Sequence, residues 1–215
     1  MATRKEVLIT AGPTWVAIDR ARVISNLATG ETGFILADKF KKLGFKVTLL
    51  LGPGNFCGVG AGIRIIHFNY FSELEKLLKE ELKKLKYRVI VHAAAVSDYQ
   101  PKEVICGKVS SSRKSWKVNL VPTRKLIKSF KNYQPGLLTV GFKFEPDASK
   151  DKLLSEANGL LKAASLDLVV ANSNRNKGYQ AYISGDLNKY GPFLSKAKMA
   201  VALTKLTVSL LSRGL

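Results

Sequence analysis

Short apolar runs that recur between amphipathic stretches constrain this chain more than any other feature of its sequence. Residues 7–10 (VLIT) end at Ala11-Gly12-Pro13, and residues 46–51 (KVTLLL) end at Gly52-Pro53-Gly54. Similar runs recur at 63–68, 89–92, 138–142 and 168–171. Runs so short and apolar, bounded by turn residues, read as strands covered on both faces, as in a parallel sheet. Between them the spacing predicts helices over 30–43, 149–164 and 195–211, the first with Phe34, Ile35, Ala37 and Phe40 on its apolar side. Ser72 and Glu75 match the S-x-x-E capping box, and Leu74, Leu77, Leu78, Leu82 and Leu85 follow at helical spacing. A hairpin is expected around 182–185, whereas 13–26 fits neither helix nor strand and 97–117 has no clean period. The alternation predicts an α/β fold: a Rossmann-like three-layer sandwich with a mostly parallel central sheet and helices on both faces. No repeat or linker divides it, so residues 1–215 are expected to form a single domain.

Composition narrows the function classes. With 46% hydrophobic and 24% charged residues, disordered and fibrous chains are excluded. Cys57 and Cys106 are too few for a disulfide framework, which suits a reducing cytoplasm. No signal peptide is readable at the N-terminus, and no uncharged apolar run reaches the ~18 residues of a membrane span. The charge is abnormal: 35 basic against 16 acidic residues leave a net +19. Such a chain attracts polyanions, whether nucleic acid, nucleotides, phosphorylated metabolites or anionic membranes.

In open α/β sheets ligands collect beyond the carboxyl ends of strands, so the segments after each strand carry the information. Residues 11–33 form a long loop without G-x-G-x-x-G; Gly30 and Gly33 open a helix whose amides could hold an anion, or they only permit close packing. Residues 92–101 (HAAAVSDYQP) combine three small residues with Asp98, which either binds a metal or accepts a hydrogen bond, or is an ordinary turn aspartate. Residues 102–131 hold nine basic residues against one glutamate, a net +8 without helical amphipathy, which favours phosphate binding. Phe142 could stack on a base or belong to the core. His67 and His92 lack metal spacing and read as structural; neither cysteine has a histidine partner for nucleophilic catalysis. Any metal would be a hard cation held by phosphate oxygens and a carboxylate.

Taken in order, four motifs resemble phosphopantothenoylcysteine synthetase, the ligase of coenzyme A biosynthesis. They stand here as ITAGPT with AIDRARVISN and LATG, then AAVSDY with Lys108 ten residues past Asp98, then Val140-Gly141-Phe142 with Glu145, and last residues 167–172. The resemblance covers nearly the whole chain and corresponds to the synthetase without the flavin-dependent decarboxylase to which many bacterial members are fused. It implies that 4′-phosphopantothenate is joined to L-cysteine in the cytoplasm, with magnesium and a nucleoside triphosphate. CTP is expected over ATP, and the carboxylate is activated as an acyl-nucleotidyl anhydride. Carried over residue by residue, Gly12, Ala93, Ala94, Asp98, Lys108 and Phe142 would meet the nucleotide. Lys108 would also neutralise triphosphate charge during activation. Asn26 would hold the acyl carbonyl or its oxyanion, and Gly30 would lie at the substrate. Magnesium would rest mainly on the nucleotide phosphates, with Asp98 as the one protein candidate. A homodimer and a flavin-dependent decarboxylase as functional partner follow from the same resemblance, with no specific nucleic acid and no membrane.

The chain departs from the family pattern at Ala28, Glu31, Leu160 and Ala164, and only the first lysine of K-I-K-K survives, as Lys108. Two readings from other classes stay open. A nicotinamide-dependent oxidoreductase lacks both its glycine fingerprint and a Tyr-x-x-x-Lys pair. A basic nucleic-acid-binding module is permitted by +19 but has no recognisable reading element.

Overall fold

The computed structural model of the chain describes residues 5–54, 60–174, 178–185 and 188–213. Strand β1 (Glu6–Ala11) runs into a small hairpin of β2 (Trp15–Ala17) and β3 (Val23–Ser25), followed by α1 (Glu31–Lys42), β4 (Lys46–Leu51) and β5 (Arg64–His67). Helix α2 (Phe71–Leu82) leads to β6 (Val89–His92), and a second small hairpin pairs β7 (Tyr99–Pro101) with β8 (Leu120–Pro122). A 3₁₀ turn (Leu126–Ser129) and α3 (Phe130–Tyr133) precede β9 (Leu138–Phe144), α4 (Lys150–Ala164) and β10 (Leu168–Ser173). The chain ends with β11 (Gln180–Ser184), β12 (Lys189–Phe193) and α5 (Lys196–Ser212).

Eight strands form one sheet in the order β12-β11-β10-β9-β6-β1-β4-β5. From β10 to β5 all neighbours are parallel, and β11 alone is reversed, pairing antiparallel with both β10 and β12. Because side chains alternate across a strand, β1 sends Val7 and Ile9 to one face and Leu8 to the other. The first face is covered by α1 and α5 through Phe34, Phe40, Met199 and Leu203. The second is covered by α2 through Leu74, Leu78 and Leu82, and further along by α4 through Leu153, Ala157 and Leu161. These are the three layers that the apolar runs predict. Among the described residues, no helix is long and apolar enough to cross a membrane.

Five local expectations are corrected or refined. Residues 13–26 contain the β2–β3 hairpin, and 97–117 contains β7; strands of three residues are too short to print a period of two. Helix α2 starts at Phe71, so Ser72 lies inside it rather than capping it. Instead Glu73 closes the helix start, its carboxylate accepting the Asn69 and Tyr70 N–H groups at 2.7 and 3.1 Å. Burial of Phe71 draws the start forward. Leu85 lies beyond the end of α2 with φ 51 and is exposed. The hairpin expected around 182–185 spans a longer pair, with Gly185 N–H bonded to Asn188 O at its turn.

Glu81, buried at the end of α2, joins several elements at the amino end of the sheet. It accepts two bonds from Arg64, at 3.0 and 3.1 Å, and further bonds from Lys84 and Tyr87. Burial alone would raise its carboxyl, but these donors outweigh it and bring it down to about 2. The contribution is therefore complete above pH 4.5 and lost as pH falls toward 2. Glu81→Gln is expected to lower unfolding stability by roughly 2–3 kcal/mol at pH 7. In urea titrations the gap from wild type should close as the pH drops below 4.5; a gap that is independent of pH would refute the account.

Candidate functional site

β1 is flanked by β4 on one side and β6 on the other, so the chain changes direction in the sheet between β1 and β6. Loops leaving two such strands diverge and open a crevice at their carboxyl ends. Here the loops are laced across that crevice. Ala93 N–H donates to Thr10 O at 3.1 Å and Ala95 N–H to Gly12 O at 2.9 Å. Ala94 N–H reaches the Thr10 hydroxyl at 3.2 Å, and that hydroxyl meets His92 Nδ1 at 2.8 Å. Further out, the Thr14 hydroxyl accepts Ser97 N–H at 2.9 Å, while Ser97 Oγ donates to Thr14 O at 3.1 Å.

Gly12 and Gly30 both have positive φ, 79 and 81, and stand side by side. A Cβ on Gly30 would come within 3.3 Å of Gly12 N, and one on Gly12 within 3.1 Å of Gly52 O. Gly30 is the residue before α1, so the amino end of that helix lies at the exit of β1. Gly33 is a packing residue, because a side chain there would collide with Ala11.

Asn26 stands at the foot of the β2–β3 hairpin, where its Nδ2 donates to Ala95 O and Val96 O at 3.1 and 3.2 Å. Both acceptors are carbonyls, so the amide orientation is unambiguous and both N–H groups are engaged. The residue itself is exposed. Asp98 lies just beyond; Lys125 Nζ bonds its Oδ1 at 2.6 Å, and Thr123 N–H bonds its main-chain carbonyl at 2.9 Å. On the next strand His92 pairs with Gly141, which sets Phe142 alongside Ala93. Phe142 is half-buried and packs against the layer of α1 and α5. Thus Gly12, Gly30, Asn26, Ala93, Ala94, Asp98 and Phe142 share one rim.

Lys108 does not join them by any hydrogen bond or ion pair among the described residues. It is exposed, in a loop carried against the tip of the β2–β3 hairpin, where Arg20 N–H donates to Gly107 O at 3.0 Å. Of the nine basic residues in 102–131, only Arg124, Lys125 and Lys131 make ion pairs among the described residues, with Glu75, Asp98 and Asp167. The remaining six leave this side of the molecule strongly cationic.

The later motifs serve largely as framework. A side chain on Gly141 would meet Leu166 and Ile127, and Leu160 packs over the same spot. Leu160 and Ala164 both face the α4 core, and Lys162 is exposed. Asp167 accepts the Thr139 N–H and hydroxyl at 2.6 and 2.8 Å. Glu145 N–H donates to Asn172 O at 2.9 Å, which joins the third motif to the fourth. The Glu145 carboxyl is held below its usual range first by Lys143, at 3.0 Å, and also by Lys152. Glu31, where the resembling family has lysine, pairs with Lys196 of α5. Cys106 is exposed and free, and Cys57 lies outside the described residues.

Sequence reasoning missed Thr14, Ser97, Asp19 and Arg22 as the residues that fasten this region. All four lie inside the quoted motifs, and the Asp19–Arg22 spacing of three residues was the available signal. Among the described residues no group of three or more His, Cys, Asp or Glu could hold a metal. Asp98, already bonded to Lys125, is a poor ligand by itself.

A family model described as "DNA/pantothenate metabolism flavoprotein C-terminal domain" matches residues 2–207. The coenzyme A biosynthesis bifunctional protein CoaBC of Thermococcus kodakarensis is 34% identical over 203 residues, covering 93% of this chain and 50% of that protein. The protein of the same name from Borreliella burgdorferi is 32% identical over 211 residues, covering 94% and 52%. The chain therefore spans about half the length of these relatives. Among solved structures, the DNA/pantothenate metabolism flavoprotein of Streptococcus pneumoniae shares the fold, with a TM-score of 0.86 at 23% identity over 96% of this chain and 99% of that one. A Cab2 variant in complex with phosphopantothenate-cysteine also shares it, with a TM-score of 0.78 at 18% identity over 98% and 89%.

His92 offers a test of the lacing. Burial pushes its imidazole down to about 4, so it stays neutral, shares a hydrogen bond with the Thr10 hydroxyl at Nδ1 and stands edge-on to Phe130. As pH falls from 6.5 toward 4 the unfolded chain takes up a proton that the folded one refuses. Stability supplied by this group is then complete above pH 6.5 and should decline by up to ~3 kcal/mol across that window. His92→Gln should flatten the decline in urea titrations at pH 7, 5.5 and 4.5. An unchanged slope would place the acid sensitivity elsewhere.

Proposed function

The chain belongs to the family of the DNA/pantothenate metabolism flavoprotein C-terminal domain, and we propose that it is the phosphopantothenate–cysteine ligase of coenzyme A biosynthesis. The observation that carries the reading is the lacing of two motifs distant in sequence. Residues 12–26 and 93–98 meet through Thr14, Ser97 and Asn26 to form one rim at the sheet's change of direction. The relatives named for coenzyme A biosynthesis support the same reaction class.

In this reading the carboxylate of 4′-phosphopantothenate attacks the α-phosphorus of the nucleotide. The bond to pyrophosphate breaks and an acyl-nucleotidyl anhydride forms. The small side chains of Ala93 and Ala94 let a flat base approach the backbone, and Phe142 beside them covers it. Gly12 and Gly30, where a side chain would press on the backbone of Gly52 and Gly12, let the loop pack tightly beside the amino end of α1, whose opening amides can meet a phosphate. Lys108 offsets the charge gathering on the departing pyrophosphate. The cysteine amine then attacks the acyl carbon, and the nucleoside monophosphate leaves as the amide forms and the amine gives up a proton. At that stage the Asn26 NH₂ turns from the two carbonyls of residues 95 and 96 to the oxyanion, donating without a charge of its own to desolvate. Magnesium belongs to this proposal as the companion of the triphosphate. A homodimer and a flavin-dependent decarboxylase acting on the product belong to it as partners. The nicotinamide reading gains nothing, because the loop after β1 carries a hairpin instead of a tight turn into α1.

Two outcomes test the proposal. Pyrophosphate release should require phosphopantothenate and run faster with CTP than with ATP at equal subsaturating concentration; a clear ATP preference would overturn the nucleotide assignment. Asn26→Asp should separate the half-reactions, since an anion there opposes the oxyanion more than it hinders the earlier attack on phosphorus. With all three substrates this variant should release about one pyrophosphate per site, retain the anhydride and make almost no amide, as read by mass spectrometry after quenching. Normal amide formation would make Asn26 a loop fastener only.

A further inference from the structure

The tip of the β2–β3 hairpin holds a buried carboxylate whose bonds reach out of the hairpin. Asp19, 3% exposed, accepts Ala21 N–H at 2.8 Å and the Arg22 guanidinium at 2.7 Å, both within its own turn. It also accepts Val109 N–H at 3.0 Å, ninety residues along the chain. Both guanidinium nitrogens of Arg22 donate to Val109 O at 3.2 Å, so the two residues grip both backbone groups of one peptide position. The grip is continued by Ile105 N–H to Ile18 O at 3.1 Å and by Arg20 N–H to Gly107 O at 3.0 Å. Arg22 also lies over the Trp116 ring, 5.3 Å from its centroid. The residues on either side of Lys108 are thus fixed, while its own side chain is exposed and free of ion pairs among the described residues.

We propose that Asp19 is a positioning residue for Lys108, holding its backbone so that the ammonium stands ready for the anionic leaving group. This rests on the ligase reading above. The hairpin turn has closing bonds of its own, Ile18 N–H to Arg22 O and Ala21 N–H to Asp19, and the bond to Val109 is additional to them. Asp19 is buried but Arg22 keeps 36% of its side chain exposed, and a half-buried ion pair is weak support for stability. What this pair supplies is a defined geometry. The Val109 N–H, ahead of every other group, holds the Asp19 carboxyl below its usual range, so the grip stays charged at neutral pH. A long flexible lysine gains most when its backbone is already ordered.

The experiment is a double-mutant cycle on pyrophosphate release. Lys108→Gln should lower kcat/KM by ~100-fold. Asp19→Asn should lower it by roughly ten- to hundredfold through misplacement of the ammonium. In the Lys108→Gln background Asp19→Asn should cost no more than about twofold, because a residue acting only through Lys108 has nothing left to act on. Trypsin should also cut Asp19→Asn after Lys108 faster than it cuts wild type. Where a thermal melt shows Asp19→Asn partly unfolded at the assay temperature, the cycle is run with Asp19→Glu, which keeps the anion. Losses that multiply in the double variant, or wild-type rates in the Asp19 variant, overturn the role while leaving the ligase reading intact. A wild-type chain that releases no pyrophosphate with either nucleotide overturns both.

Discussion

At the carboxyl edge of the sheet, the loops leaving β1 and β6 lose the ladder that satisfied their backbone groups, yet they must stay packed against each other. Thr10 and Thr14 resolve this with hydroxyls that accept backbone N–H groups from across the seam, at Ala94 and Ser97. An unpaired buried N–H carries the full loss of its hydration, so these two hydroxyls decide whether the seam can exist.

Once the seam is closed, the hairpin that follows β1 is aimed outward from it. Its foot is fixed by Asn26 on the carbonyls of residues 95 and 96, and its tip carries the loop of residues 105–109. The three residues of β2, Trp15–Ala17, span on the order of 7 Å between the foot of the hairpin and the turn that holds Asp19. Asn26 and Lys108 therefore belong to opposite ends of one small element. A rigid hairpin can set the distance between a carboxamide and an ammonium without the two ever touching.

The cationic character of the chain is spent unevenly. At the amino end of the sheet, Arg64, Lys84 and Lys86 gather around the buried Glu81 and serve stability. On the loop side, six of the nine basic residues in 102–131 are without ion pairs among the described residues. Like charges left unpaired in one region destabilise a fold slightly, and they raise the local concentration of phosphorylated ligands.

The strands, the helices and the three layers were legible in the sequence because burial on both faces demands continuous apolar runs, and burial on one face demands a period near 3.6. The motif residues around Gly12, Asn26, Ala93 and Asp98 were legible too, as ordered segments after strands. What escaped was everything shorter than a period: the three-residue strands of both hairpins, and a helix start set by burial of Phe71 rather than by the S-x-x-E pattern. The partners of individual polar groups escaped as well. Nothing local says that Asp19 meets Val109, that Asn26 spends both its N–H groups on carbonyls, or that Glu31 pairs with Lys196. Amphipathic patterning is written residue by residue along the chain, so sequence alone determined the architecture. Hydrogen bonds between segments roughly 70 to 165 residues apart depend on where the sheet brings their backbones, and only the tertiary structure could decide them.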